Sequence, residues 1–267
     1  MNNLIKHKKT LILFVGLMIL SIITLQIIGF FVTTDSLSQE IIKNSTIRIV
    51  AGTFLVIILY SLGYHLFKKP NKSPTMILLI IIPGLLIALN NFPISAFFNG
   101  RTVINELHHV IYLFAIECLS IGLLEETAFR GVILIILMQR LPKNKRGYLS
   151  AILISSLIFG AAHLLNLFNG LSLTNTLLQI GYSFLMGALW SVVFIATENL
   201  IFPIMLHASF NFFGLVLFRI GSVTNRFDTV TIISTTVLAI VSLLFYIFIF
   251  VSKTNKEIDR AFHLDLS

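Results

Sequence analysis

Three charged residues interrupt an apolar stretch of the chain, and their types suit proton-transfer chemistry. Glu125 and Glu126 are adjacent and Arg130 follows them, while the flanking stretches 111–124 and 132–138 are mostly apolar. A charged side chain in a hydrocarbon environment costs about 3 kcal/mol, and residues retained there usually mark a functional site. This segment is therefore the first candidate for chemistry.

Helix geometry separates the two carboxylates. Adjacent helical residues point about 100° apart, whereas Glu126 and Arg130 stand in the favoured i,i+4 order for an ion pair. Glu125 is then left to face a cavity, where it would be placed to accept a proton. The alternative is that all three residues form a structural ion-pair cluster.

Two further apolar stretches each contain a histidine with a partner four residues away. His163 follows Phe159, so on a helix the two rings share a face. His207 precedes Asn211, and an imidazole and an amide can both donate hydrogen bonds toward a developing negative charge. Side chains have to supply such an oxyanion site because free backbone N–H groups are scarce in a membrane. Interhelical polar packing is the alternative for these residues.

A metal site is a second way to use the same side chains. Glu125, His163 and His207 could bind zinc with one coordination position open. However, the sequence has no His-Glu-x-x-His on one helix, and three single ligands from three helices are a weak signal. The single cysteine, Cys118, excludes a zinc site built from several cysteines and an intramolecular disulfide. We favour no metal, with zinc as the alternative cofactor.

The elements that must position these residues are membrane-spanning helices. The chain has 267 residues, of which 57% are hydrophobic and 11% charged, whereas soluble domains contain about 25% charged residues. Its mean hydropathy is +0.96. A spanning helix needs about 20 apolar residues, and the runs of that length are 10–33, 46–67, 75–95, 109–140, 148–168, 174–197, 200–220 and 229–252. We predict an all-α polytopic bundle of about eight transmembrane helices, forming a single membrane domain over 1–267.

Glycines and prolines indicate where these helices approach or bend. Small residues that would let helices pack closely are Gly160, Gly181 and Gly187. Pro83 and Gly84 predict a kink in the third span. Pro203 lies four residues before His207 and predicts a bend that tilts the imidazole inward.

Positive charge is distributed unevenly between alternate loops. Thirteen Lys and Arg residues lie in or beside the stretches 6–9, 68–72, 140–146 and 253–260, and five lie in the opposite set. Positively charged loops stay in the cytoplasm, so we expect a multi-pass protein of the cell membrane with both termini cytoplasmic. The net charge of +8 then reflects membrane topology, and no nucleic-acid partner is expected.

The three pieces together resemble the motif set of a known family. They are Glu125-Glu126-x-x-x-Arg130, Phe159-x-x-x-His163 and His207-x-x-x-Asn211. In this order they resemble the CPBP family, the CAAX-processing and bacteriocin-processing intramembrane proteases, also called the Abi family. The family includes the type II CAAX prenyl endopeptidases. The motifs cover about 120–215, within an expected catalytic core at about 105–220.

The resemblance implies an α-helical intramembrane endopeptidase and a role for each motif residue. Glu125 and His163 match the residues thought to activate the attacking water. His207 and Asn211 match those thought to stabilise the oxyanion, and the remaining motif glutamate and arginine have supporting roles. Both a metal-dependent and a glutamate-dependent mechanism have been argued for the family, and the residues here fit either.

The expected partners are a peptide or protein substrate at the membrane and the lipid bilayer itself. Bacterial members are associated with bacteriocin self-immunity, peptide maturation and regulated proteolysis, and the sequence does not choose among them. The alternative function is a non-proteolytic bacteriocin-immunity or transport protein. A secondary transporter would show interrupted helices in two repeated halves, but Pro83 and Pro203 do not occupy corresponding positions.

Overall fold

A computed structural model describes residues 36–105, 108–168 and 170–262, together with Gly16 and Thr34. The first predicted span, 10–33, lies outside the described residues apart from Gly16. The second to eighth predicted runs can be compared with the structure.

The described residues are almost entirely helical, as the hydropathy pattern predicts. The helices are α1 (Leu37–Ser61), α2 (Pro74–Asn90), α3 (Ile94–Phe98), α4 (His108–Glu126), α5 (Ile135–Arg140), α6 (Lys145–Ala162), α7 (Leu173–Thr197), α8 (Ile201–Arg219), α9 (Thr229–Ser252) and α10 (Asn255–Arg260). A π-helical segment, Thr127–Leu134, joins α4 to α5, and a 3₁₀ turn, His163–Leu167, extends α6. An unpredicted antiparallel ribbon pairs β1 (Thr102–Ile104) with β2 (Gly221–Val223).

Five of the described helices are long and apolar enough to cross a membrane. They are Leu37–Ser61, Lys145–Leu167, Leu173–Thr197, Ile201–Arg219 and Thr229–Ser252. Helix α2 is apolar but only 17 residues long. The predicted run 109–140 corresponds to α4, the π segment and α5 in succession, with charged residues in its middle. The chain is thus a polytopic helical membrane protein, although the structure does not show the eight spans predicted.

Polar side chains fix where most of the helices begin. In each case a side-chain oxygen accepts a hydrogen bond from the backbone N–H three residues later, which satisfies a donor that has no partner inside the helix. The residues that do this are Ser36, Ser73, Asn144, Ser172, Asp228 and Thr254.

Helix α4 lies between α1 and α8, and α7 packs against α6, α8 and α9. The α4–α8 contact is very close, because a Cβ at Gly122 would lie 2.8 Å from the carbonyl oxygen of Ile204. Gly160 and Gly187 likewise face atoms of a neighbouring helix at 2.9–3.0 Å. Gly181 has nothing within 4 Å of a Cβ placed there, so the prediction of close packing is wrong for that residue.

The predicted bend at Pro203 is also wrong. Helix α8 begins at Ile201, which makes Pro203 its third residue. The N–H groups of a first helical turn have no intrahelical acceptor, so a proline there removes no hydrogen bond. His207 faces inward because α8 packs against α4, and no kink is required.

Pro83 and Gly84 mark an unusual contact in α2. The hydroxyl of Tyr246, on α9, donates to the carbonyl of Ile80 at 3.0 Å and accepts from the N–H of Gly84 at 3.1 Å. An unbroken α-helix would join these two backbone groups directly. The tyrosine therefore ties α9 to α2 at the position where the sequence predicts a kink.

The two ends of the bundle carry different charge networks. At one end, the buried Glu117 on α4 pairs with Arg48 at 3.0 Å and with Arg219 at 3.5 Å. The stretches 68–72, 140–146 and 253–260 meet at the other end. There Lys143 binds Asp259, Lys145 binds carbonyls at the end of α9, and the side-chain amide of Asn199 donates to the carbonyl of Lys68.

Candidate active site

The two adjacent glutamates stand at the end of α4, where the helix changes type. Glu126 is the last residue of α4, and the π-helical segment starts at Thr127. Single π-helical turns inside α-helices occur frequently at functional sites. The segment contains Arg130, whose guanidinium Nη1 donates to Glu126 Oε1 at 2.9 Å. The predicted ion pair between Glu126 and Arg130 is confirmed.

This ion pair is fully buried and has a third member. Glu126 is 0% exposed and Arg130 1%. The same Glu126 oxygen, Oε1, lies 2.7 Å from Nδ1 of His207. A single carboxylate therefore holds both a guanidinium and an imidazole, and through them it joins the π segment to α8.

Two further contacts hold Arg130. Its Nη2 donates to the carbonyl oxygen of Gly187 on α7 at 3.1 Å. Its guanidinium carbon lies 4.8 Å from the centre of the Phe159 ring on α6, within the range of a cation–π interaction. Arg130 thus contacts α6 and α7 as well as Glu126, and it fixes these helices around the glutamates.

A cavity of about 220 Å³ lies beside this buried group. Glu125, His163, His207 and Asn211 all line it. The side chain of Glu125 is 29% exposed, whereas that of Glu126 points into the protein interior. The structure therefore brings together the four residues whose spacing and type singled them out, and it places the two glutamates in different surroundings.

Phe159 holds the two imidazoles in orientation. Its ring centre lies 5.3 Å from that of His163 and 5.9 Å from that of His207, both close to edge-on. Nε2 of His207 is 3.6 Å from Oε2 of Glu125, and His163 lies within electrostatic reach of both of these residues. The carboxylate and both histidines thus surround the same part of the cavity.

Comparison with known proteins gives this geometry a family. Residues 107–213 match the family model described as Type II CAAX prenyl endopeptidase Rce1-like. The chain contains a domain of this family. The match spans all three motif-bearing segments and identifies the domain as Rce1-like within the CPBP (Abi) proteases, so it implies a protease that acts on a protein substrate in the membrane. Neither the curated proteins nor the solved structures include a match to the chain.

The donor set of this Rce1-like domain fits a metal ion poorly. Within 36–105, 108–168 and 170–262, no group of three His, Cys, Asp or Glu side chains is placed to hold one. The set that a zinc site would use, Glu125, His163 and His207, therefore does not form such a group. The fourth polar residue of the cavity, Asn211, is not among the usual zinc ligands.

Several parts of the Rce1-like site were not evident from the sequence. The contact between Glu126 and His207 joins residues 81 positions apart, and no local spacing indicates it. A weak signal was present, because a polar ring in an apolar run has to find a partner when it is buried. The cavity is also lined by Asn166, Gln179 and Tyr182, which lie outside the three motifs.

Proposed function

We propose that this protein is an intramembrane endopeptidase that cleaves membrane-associated peptides or proteins. The observation that carries the proposal is that Glu125, His163, His207 and Asn211 line one cavity within a bundle of apolar helices. A carboxylate beside imidazoles can activate water, and an imidazole with an amide can stabilise an oxyanion. The Rce1-like match supports the same reaction class.

In this mechanism Glu125 and His163 hold the attacking water. A proton moves from the water to Glu125 as the oxygen attacks the carbonyl carbon of the scissile peptide bond. The C=O π bond becomes an oxyanion in the tetrahedral intermediate. The C–N bond then breaks, and the proton held by Glu125 passes to the leaving nitrogen. The products are a new carboxylic acid and a new amine, so atoms and charge balance.

His207 and Asn211 stabilise the oxyanion. The Nδ1 of His207 lies 2.7 Å from Oε1 of Glu126, a distance that suits a ring N–H donating to the carboxylate. For Nε2 to donate to the oxyanion as well, His207 has to be the doubly protonated imidazolium. Glu126 therefore positions the imidazole and balances its charge, and the amide of Asn211 provides the second donor.

Arg130 and Phe159 act on this site indirectly. Arg130 neutralises part of the Glu126 charge by binding the same carboxylate oxygen that contacts His207. Phe159 packs against His163 and His207 and so restricts both rings. These are positioning roles, because neither side chain is required to contact the reacting atoms.

The proposal also includes a topology. We infer eight spans, a single membrane domain over 1–267 with its catalytic core at about 105–220, and both termini in the cytoplasm of the cell. The positive stretches 68–72, 140–146 and 253–260 lie together at one end of the bundle, which supports a common cytoplasmic side. Reporter fusions at Asn71, Asn144 and Lys253 should all give a cytoplasmic signal, and an external signal at any of them would contradict the topology.

The decisive experiment replaces Glu125 by glutamine. Glu125→Gln keeps the shape of the side chain but cannot accept a proton from water, so cleavage should fall by roughly 10²–10⁴. Asn211→Ala should lower it by roughly 10²–10³ if the amide is one of two oxyanion donors. The measurement is cleavage of a membrane-anchored reporter in cells, with the protein level measured in parallel. Glu40→Gln makes the same chemical change outside the cavity and should cleave normally.

Full cleavage by Glu125→Gln at normal protein level would end the proposed mechanism. If Glu125→Gln loses a bacteriocin-resistance phenotype although the wild type shows no proteolysis, the result would favour a protein that acts by binding. A separate test concerns metal. Because the donor set fits zinc poorly, cleavage by purified protein should survive EDTA and phenanthroline, whereas loss that zinc restores would show that the metal is needed.

A further inference from the structure

Two side-chain amides outside the three motifs line the same cavity. Asn166 lies in the 3₁₀ turn after α6, and Gln179 lies on α7. The Nδ2 of Asn166 donates to Oε1 of Gln179 at 2.8 Å. Both side chains are half-buried and line the cavity, so the pair borders the space that a substrate would enter.

The 3₁₀ conformation places Asn166 one turn after His163. In a 3₁₀ helix the side chains at i and i+3 are eclipsed, and each residue rises about 2.0 Å. His163 and Asn166 stand in this relation, at the first and fourth positions of the turn. Their side chains therefore project to the same side and are separated by about 6 Å along the axis.

This separation corresponds to about two residues of an extended peptide, which advances about 3.3 Å per residue. A peptide whose scissile carbonyl lies beside the water held by Glu125 and His163 would thus present the backbone about two residues away to Asn166. A helical segment rises only about 1.5 Å per residue and has already paired its backbone groups internally. An extended substrate, in contrast, enters with backbone N–H and C=O groups that need partners.

The amide pair retains the groups that such a backbone needs. Side-chain amides carry one carbonyl oxygen and two N–H donors, and the mutual hydrogen bond uses one N–H of Asn166 and one acceptor site of Gln179. Tyr182 interacts with Gln179 from the next turn of α7. Among the residues that the structure describes, the side-chain oxygen of Asn166, Oδ1, has no hydrogen-bond partner, since the bond to Gln179 is made by Nδ2. One acceptor and at least one donor remain for a peptide unit.

We infer that Asn166 and Gln179 form a subsite that binds the backbone of an extended peptide about two residues from the scissile bond. This rests on the proposed protease function and deepens it. The subsite selects conformation rather than side-chain identity, because its contacts are made to the peptide backbone. A transmembrane helix would have to unwind over this stretch before it could be cut.

The test combines a backbone change in the substrate with a change in the protein. Purified full-length protein in detergent micelles is incubated with a pool of short apolar peptides, and one cleaved peptide is taken as the probe after its cut site is located by mass spectrometry. Each backbone amide of that peptide is then replaced in turn by an ester, which removes one N–H donor and weakens the carbonyl acceptor.

The ester about two residues from the cut site should lower kcat/KM of the wild type about 3- to 10-fold, the loss expected for one net hydrogen bond. Gln179→Met and Asn166→Leu should each show a similar loss with the all-amide peptide and almost no further loss with the ester. Gln139→Met is the matched control, because Gln139 pairs with Tyr64 elsewhere. It should remain as sensitive to the ester as the wild type.

Three results would overturn the inference. A wild type that is equally insensitive to every ester would show that the subsite does not exist, without requiring a folded variant. Undiminished ester sensitivity in Gln179→Met and Asn166→Leu would place the backbone contact elsewhere. With either of these two results, the proposed protease function still stands provided that the Glu125→Gln variant no longer cleaves the peptide. A wild type that cleaves no peptide in the pool would overturn both the subsite and the function.

Discussion

Removing the charge of Glu126 should harm both stability and activity, and a second substitution should restore only stability. Glu126→Gln preserves the shape of the side chain but takes away the carboxylate that Arg130 binds at 2.9 Å. It also takes away the anion beside Nδ1 of His207. The buried guanidinium is then left with uncharged contacts, namely the glutamine amide, the carbonyl oxygen of Gly187 and the ring of Phe159.

The magnitude follows from the burial of the pair. Breaking one side of a buried ion pair costs about 3–5 kcal/mol. Each kcal/mol shifts the melting temperature by about 2–4 °C for a protein of about this size, so Glu126→Gln should melt about 6–20 °C lower. Replacing both charges by neutral groups is often far less harmful. The double variant Glu126→Gln with Arg130→Met should therefore recover at least about 2 kcal/mol of that loss.

Activity should not follow stability. In the double variant His207 still lacks its carboxylate, so the imidazole is neither oriented nor charge-balanced. We expect cleavage to stay as low as in Glu126→Gln alone, although the melting temperature rises.

The assay is thermal unfolding of purified protein in detergent, together with cleavage of the membrane-anchored reporter. Arg140→Met is the control for Arg130→Met. It removes a positive charge at the exposed end of α5, where no buried partner is lost, and it should melt like the wild type. A double variant as unstable as the sum of its two single variants would refute the reasoning. So would recovery of cleavage along with stability, because Glu126 would then have no role beyond pairing with Arg130.

Four other substitutions test the helix packing and a capping carboxylate. Gly122→Ala should lower both the melting temperature and cleavage, because a Cβ there would lie 2.8 Å from a carbonyl of α8. The overpacking should reduce the free energy of unfolding by about 1–3 kcal/mol. Gly181→Ala, which meets nothing within 4 Å, should have little effect. Tyr246→Phe should destabilise by about 1–3 kcal/mol, since two backbone groups of α2 lose their hydroxyl partner, and thermal unfolding measures this. Hydrogen bonds, first that from Ser95, hold the pKa of Asp228 well below its ordinary value. The stabilisation that Asp228 gives should therefore be present above about pH 4 and fade as the pH falls below it. Hydrogen exchange should detect this loss in the wild type and show no such pH dependence in Asp228→Asn.

The residues that line the candidate site could be singled out from the sequence because each motif is local. A spacing of four residues on a helix predicts a shared face whatever the rest of the chain does. The pair of Glu126 and Arg130, and that of Phe159 and His163, needed no more information than this. Apolar runs likewise identified the helices, because backbone groups in lipid have to be satisfied within each segment.

The remaining features depend on distant parts of the chain. Glu117 meets Arg48 and Arg219 from positions 69 and 102 residues away, and no periodicity relates them. The π-helical segment depends on how side chains pack around it, since Thr127–Leu134 has no composition that distinguishes it from an α-helix. The number of spans is hard to predict for a related reason, since the length of an apolar run does not reveal where its helix ends.

The hydroxyl of Tyr246 has a consequence for the order in which the chain can fold during synthesis. Gly84, whose N–H it binds, emerges from the ribosome 162 residues before the tyrosine does. At about 5–20 residues per second, this interval lasts on the order of 10–30 s. During that time the middle of α2 lacks its final hydrogen-bonding arrangement, although it is among the first of the described helices to be made. Helix α9, which has little buried surface of its own, supplies the missing hydrogen bonds of α2 once it has been made. A chain truncated before α9 should therefore be destabilised in α2, a helix that it still contains.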